Sequence, residues 1–288
     1  MSTKLSAKIF IINFICLIII TGCSNKNSDY RKRQSYAIDK SHVSLAQNQR
    51  IRFLIFHYTA VDNATSLKLL TGENVSAHYL ISDHVDTSTK KTIVYKLVSE
   101  DKRAWHAGTS NWNGRTNLND SSVGIEIVNL GFKKNFFGKK IWYPYSQHQI
   151  KTIAALANDI ILHYGITPDN VLGHSDIAPL RKEDPGILFP WKKLAALGVG
   201  AWPDPEKVKY YLHGREKNQS VDVSKMQKLL SQYGYDRIPQ SGELDEATQK
   251  TISAFQMHFR PSKFDGKPDA ETEAIAMTLI HQYRDPSN

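Results

Sequence analysis

Two of the 11 histidines in this chain directly follow short apolar runs, a setting in which an imidazole can be held rigidly. His57 closes Phe53-Leu54-Ile55-Phe56, where strand alternation aligns it with Phe53 and Ile55 and leaves it at a strand end, a firm mount for a metal ligand. His174 follows Val171-Leu172-Gly173, and Asp184 lies ten residues further on in Arg181-Lys182-Glu183-Asp184-Pro185-Gly186. Taken singly, each has an ordinary reading: a histidine hydrogen-bonded at a sheet edge, or a carboxylate solvated in a loop. Taken together, two neutral imidazoles and one carboxylate make a tetrahedral zinc site with one position left for water. A site of that kind acidifies a water and polarises a carbonyl, which is amide-hydrolysis chemistry at neutral pH. The chemistry also needs a carboxylate to take the water's proton. Glu126 interrupts the apolar run Val123-Gly124-Ile125-Glu126-Ile127-Val128, where a charge is costly unless paired or used. It needs a cation for the oxyanion as well, and Lys182 stands two residues before Asp184, so an extended segment would point both side chains the same way. The alternative for Lys182 is a surface lysine. Trp105 with His106 pairs an aromatic with a polar ring, which suits a sugar-peptide ligand, although His106 could equally be structural. His78, flanked by apolar residues, is expected to support the site or the fold rather than to ligate. His148 and His163 are expected to be solvated.

These residues need a scaffold, and the apolar patterning supplies one. Ile51–Phe56, Thr92–Val98 and Val123–Val128 read as strands. From Ser146 to Tyr164, apolar residues at Ile150, Ile153, Ala157 and Ile160 have helical spacing, with a capping box at Ser146 and Gln149 and Gly165 at the end. Interleaved strands and helices over residues 50–205 imply an α/β domain with a central sheet covered by helices. Residues 206–220 are polar and read as a linker. Residues 221–285 then show three short helical periodicities, at Val223 to Tyr233, Ile252 to Phe259 and Ile275 to Tyr283. Two of these helices open with the same signature, Gly242-x-x-Asp245-x-x-Thr248 and Gly266-x-x-Asp269-x-x-Thr272, a turn glycine before a capping aspartate.

The front of the chain indicates a compartment. Lys4 and Lys8 precede Ile9–Ile20, an apolar run broken only by Asn13, and then Thr21-Gly22-Cys23. This is an export-signal layout; a helix of that length rises only about 18 Å, too short for a hydrocarbon core of about 30 Å. Ile20-Thr21-Gly22-Cys23 resembles the bacterial lipobox, which implies removal of residues 1–22, lipidation of Cys23 and tethering through acyl chains. Ser24 in the next position points, in the sorting pattern this resembles, to the outer membrane with the protein facing the periplasm. Residues 23–49 read as a flexible tether. The two cysteines are Cys16 and Cys23, so the processed chain has no pair for a disulfide. With 41% hydrophobic and 23% charged residues the chain can bury a core. The net charge of +9 falls to +7 once Lys4 and Lys8 are removed, favouring acidic partners. Export and the lack of a basic strip with interleaved aromatics argue against nucleic acid.

Five blocks then occur in order: Phe56-His57-Tyr58-Thr59, Val75-Ser76-Ala77-His78-Tyr79-Leu80, Ala104-Trp105-His106-Ala107-Gly108, Asn119-Asp120-x-Ser122-Val123-Gly124-Ile125-Glu126, and Gly173-His174-x-Asp176 through Arg181-Lys182-x-Asp184-Pro185-Gly186. They resemble the zinc-dependent N-acetylmuramoyl-L-alanine amidases of the type 2 family, relatives of the peptidoglycan recognition proteins. Residues 221–284 resemble the peptidoglycan-binding domain appended to many cell-wall hydrolases. The resemblance implies a mixed sheet flanked by helices plus a small C-terminal three-helix bundle, one Zn2+ per chain on His57, His174 and Asp184, Glu126 as the water-activating carboxylate and Lys182 at the oxyanion. It adds Asn119 to Trp105 and His106 as candidate substrate contacts, and peptidoglycan or muropeptides as the partner of a monomeric enzyme. Two rivals share these features: a non-catalytic lipoprotein that only holds the wall, and a zinc peptidase cutting within the stem peptide.

Overall fold

The computed structural model describes residues 36–285. Cys23 and the export signal lie outside the described residues. The chain divides after Asn48; residues 36–48 hold no helix or strand, and Gln49–Asn288 form one compact unit.

In chain order the compact unit contains β1 Phe53–Tyr58, α1 Asn63–Leu70, β2 Tyr79–Val85, β3 Thr92–Lys96, β4 Asn111–Trp112, β5 Arg115–Thr116, β6 Ser122–Ile127, β7 Phe132–Lys134 and β8 Lys140–Trp142. There follow α2 Gln147–Tyr164, β9 Val171–Gly173, α3 His174–Ile177, α4 Trp191–Ala195, α5 Pro205–Leu212, α6 Val223–Tyr233, α7 Glu246–Phe259 and α8 Ala270–Tyr283. The main sheet has the order β3-β2-β6-β1-β9, with β3 antiparallel to β2 and the other neighbours parallel. The expected mixed sheet is therefore present. β1 lies inside the sheet between β6 and β9 and is buried on both faces, which is why it reads as an unbroken apolar run. Its alternation splits two cores. Leu54 and Phe56 face α2, meeting Ile150, Ile153, Ala157 and Ile160, while Phe53 and Ile55 face a second core shared with the C-terminal helices. α2 begins on the expected capping box, Ser146 with Gln149, and ends on Gly165 in the left-handed conformation.

The boundary between the two domains differs from the sequence expectation. Residues 206–220, read as a linker, contain most of α5, whose Tyr211 hydroxyl lies 3.0 Å from His281 Nδ1 on α8. Asp204 caps α5, so the polar composition there records a solvated helix. The bundle is also fused to the sheet domain. Trp112, fully buried at the end of β4, packs edge-on against Tyr233 (5.7 Å) and Tyr235 (4.9 Å), and a side chain at Gly234 would lie 2.7 Å from its ring. Arg284 pairs with Asp169 across the same seam at 2.6 Å.

The repeated signature has a physical reason. Asp245 and Asp269 accept from the backbone N–H of Thr248 and Thr272, capping α7 and α8. One helix earlier, the buried Gln227 and Gln256 each accept from the turn glycine, Gly242 or Gly266, and donate to the matching threonine hydroxyl. Each repeat is thus a turn tied to a buried glutamine, and it leaves no polar atom of that amide unpaired.

Candidate active site

The parallel strands β6, β1 and β9 end on one edge of the sheet, and each delivers a side chain there. His57 on β1 and Glu126 on β6 are register partners. Gly173 pairs with Phe56, so His174, the next residue, emerges beside them at the start of α3. The loop after α3 returns Lys182 and Asp184 to the same edge. His57 Nδ1 and His174 Nδ1 lie 2.9 Å apart, and each lies 3.1 Å from Asp184 Oδ2. All three residues are buried.

The donor set fits a small divalent cation. Three ligands at about 2.0–2.1 Å from a tetrahedral zinc would stand roughly 3.3 Å apart, close to the triangle found here. The protonation states agree. His174 Nε2 faces the Ala107 carbonyl at 3.2 Å and so carries the proton, leaving Nδ1 with its lone pair. For His57 the assignment runs through a chain of three groups. The Ser122 hydroxyl donates to the Leu118 carbonyl (2.6 Å) and accepts from His106 Nε2 (3.1 Å), so His106 Nδ1 accepts from His57 Nε2 (3.0 Å) and His57 Nδ1 is free to ligate. Two lone pairs and a carboxylate oxygen converging in a buried space repel one another unless a cation lies between them. Burial and the neighbouring His174 pull His57 down to about 4, keeping it neutral.

Glu126 and Lys182 line the adjoining cavity of about 400 Å³, together with Tyr58, Thr59 and Trp105. Glu126 Oε2 is buried without a hydrogen-bond partner. Burial, reinforced by Asp184 and offset in part by Lys182, pushes its carboxyl up to about 8, a range suited to proton transfer near neutral pH. Lys182 is half-buried.

Of the expected substrate contacts, Trp105 is exposed, while His106 also lines the cavity but is buried. Trp105 is 52% exposed on the cavity rim, with the Arg103 guanidinium 4.2 Å from its ring centre. His106 is buried and both of its ring nitrogens are taken, by His57 and Ser122, so none remains for a substrate. Its ring packs so tightly on β6 that a side chain at Gly124 would lie 2.4 Å from it. Asn119 is buried too, and its Oδ1 accepts the backbone N–H groups of His106 (3.0 Å) and Ala107 (2.8 Å). Both residues therefore brace the His57 side of the site. His78 is structural as expected, accepting from Gly124 N–H (3.0 Å) and donating to the Lys102 carbonyl (3.2 Å). His148 and His163 are exposed.

Sequence reasoning did not single out Asp176, which ties the bundle to the site. Its Oδ2 accepts from Gly173 N–H (2.7 Å), fixing the turn into His174, and lies 2.8 Å from His258 Nδ1 of α7. Its Oδ1 accepts from the Tyr235 hydroxyl at 2.5 Å. The His258 ring stacks on Trp191 at 3.7 Å. The signal for Asp176 was its place two residues after His174; its partners lie 59 and 82 residues away and have no local mark.

A sheet edge carrying three convergent metal donors, a carboxylate and a cation defines a hydrolase-type site on an amidase-like scaffold. The family model for N-acetylmuramoyl-L-alanine amidases matches residues 47–187, and a model for a peptidoglycan-binding domain matches residues 219–275. The chain is 44% identical over 266 residues to N-acetylmuramoyl-L-alanine amidase AmiD of Escherichia coli, covering 92% of this chain and 95% of that protein. The solved structure of that AmiD, in complex with anhydro-N-acetylmuramic acid-L-Ala-D-gamma-Glu-L-Lys, superposes with a TM-score of 0.84 over 88% of this chain and 98% of the other. AmpDh3 of Pseudomonas aeruginosa, in complex with anhydromuramic pentapeptide, is 40% identical with a TM-score of 0.78, over 87% and 99%. The chain belongs to the N-acetylmuramoyl-L-alanine amidase family.

Proposed function

We propose that this enzyme uses a zinc ion on His57, His174 and Asp184 to hydrolyse the amide between the lactyl group of N-acetylmuramic acid and L-alanine, in peptidoglycan and in muropeptides. The observation that carries the reading is the convergence of His57 Nδ1, His174 Nδ1 and Asp184 Oδ2 beside the partnerless Glu126 Oε2. The muropeptide ligands named in the two solved relatives support the substrate class. Zinc in that site supplies a Lewis acid that polarises the carbonyl and acidifies a water. Glu126 takes a proton from the attacking water as the C–O bond forms, and returns it to the alanine nitrogen as the C–N bond breaks. Lys182, in the same cavity, meets the negative charge that develops on the carbonyl oxygen. Trp105 offers the sugar an apolar face at the rim.

The lipobox-like Thr21-Gly22-Cys23 supports an outer-membrane lipoprotein that faces the periplasm, tethered at Cys23, and the 219–275 match supports retention on the wall. Glu126→Gln tests the mechanism. Hydrolysis should fall by about 10²-fold or more with zinc content unchanged. Full activity in that variant would remove Glu126 from the chemistry, and loss of zinc would make it structural.

A further inference from the structure

The turn joining β7 to β8 holds two phenylalanine rings in solvent, Phe136 at 97% and Phe137 at 87% exposure. The turn itself is well bonded. Asn135 Oδ1 accepts from the backbone N–H groups of Phe137 (3.0 Å) and Lys139 (2.9 Å), and Asn135 N–H donates to the Lys139 carbonyl at 2.9 Å. Gly138, at φ 74°, closes the loop with an N–H bond to the Asn135 carbonyl. The base of the hairpin is equally firm: Phe132 packs on Trp142, and Lys140 sits over Phe132 while pairing with Glu183 on the rim of the active-site cavity. Phe132–Trp142 contains four lysines and no acid, and Lys133, Lys134 and Lys139 are exposed with no ion pair among the described residues.

We propose that this hairpin is a membrane-docking element, with Phe136 and Phe137 entering the interfacial layer of a bilayer and Lys133, Lys134 and Lys139 meeting anionic phospholipid headgroups. An apolar tip inside a cationic collar matches a surface whose charge is outermost and whose apolar layer lies beneath. Glycan fits less well. The two rings stand at 87° to each other and make no common stacking platform, and the side-chain oxygen of Asn135, the only neutral polar side chain in the turn, is already used to hold it. No helix among the described residues is long and apolar enough to cross a membrane, so contact of this kind would be peripheral. Because Lys140 joins the hairpin to Glu183, docking would hold the active-site cavity close to the lipid surface.

The test uses the compact unit Gln49–Asn288, which excludes Cys23 and the apolar leader. Flotation is measured with vesicles of phosphatidylcholine alone and with about one third phosphatidylglycerol added. The unit should float with the anionic vesicles. Phe136→Ser with Phe137→Ser should lower binding at least about tenfold, and Lys133→Gln with Lys134→Gln and Lys139→Gln should remove the anionic preference. Turnover of a soluble muropeptide should not change in either variant. Absence of flotation, or flotation unaffected by both sets of changes, would overturn the proposal. Loss of sacculus binding in the phenylalanine variant with flotation intact would assign the tip to the wall instead.

Discussion

His57 can ligate a metal only if its other nitrogen keeps the proton, and that choice is made along a hydrogen-bond chain through His106 and Ser122. Ser122 orients His106, and His106 accepts from His57. His106→Ala leaves His57 without the acceptor that selects its tautomer, so zinc affinity should fall about 10–100-fold, read by competition with a chelator. An unchanged affinity would show that the tautomer is set elsewhere. His57, His174, Asp184, Glu126 and Lys182 could be picked out of the sequence as candidates, but each setting alone also had an ordinary reading, and it was their combination and the resemblance of the surrounding blocks that pointed to one site. His106 was also conspicuous, but its role was not legible. Whether a ring beside Trp105 faces solvent or lies under a neighbouring strand depends on the packing of Gly124 in β6, which no local pattern records.

At the scale of elements, α3 is four residues long and cannot hold its own position. It is held by Asp176, whose carboxylate joins Gly173, Tyr235 and His258. Hydrogen bonds to a buried charged group contribute about 1.5–3 kcal/mol each, so Tyr235→Phe should destabilise the unit by about that amount in denaturant unfolding. In a cycle with Asp176→Asn the two losses should be strongly non-additive; simple additivity would mean the clasp carries no coupling. Strands β1, β3 and β6 and helix α2 were readable from apolar period and caps. β2 was not read as a strand, because its apolar start runs into the polar Ser82-Asp83-His84, of which Ser82 is buried and Asp83 and His84 are exposed, and β9 is too short for a periodicity. α5 was hidden by its composition: none of its residues is fully buried, and its few apolar side chains, such as Val208, stand among charged residues after Pro203 and Pro205, which read as a linker.

For the molecule as a whole, two family models match the two segments that the sequence suggested as modules, and in the structure those segments share one core. A chain ending before residue 219 would expose Trp112, remove Arg284 from Asp169 and remove Tyr235 and His258 from Asp176. It should lose cooperative thermal unfolding, followed by circular dichroism; a stable, active fragment would show that the bundle is separable after all. The bundle also imposes a pH limit. Burial opposes charge on Glu273, but Lys225 and Arg215 overcome it, and at Asp269 Thr272, Lys263 and Arg260 do the same, so both carboxyls titrate below their ordinary values of 4.5 and 3.8. Lowered carboxylates stabilise the fold fully above their unfolded pKa and lose that contribution as the pH falls through the folded one. The melting temperature should therefore drop on acidification below about pH 4.5, and Glu273→Gln should flatten that drop.

The central claim, an amidase acting between sugar and peptide, is tested most directly by its products. The zinc-loaded unit would be incubated with an anhydro-muropeptide, with and without a chelator, and the products identified by mass spectrometry. Release of an intact peptide beginning with L-alanine, abolished by the chelator and restored by zinc, is the predicted result. Cleavage between amino acids of the stem, or binding with no release, would contradict it and favour a peptidase or a wall-holding protein.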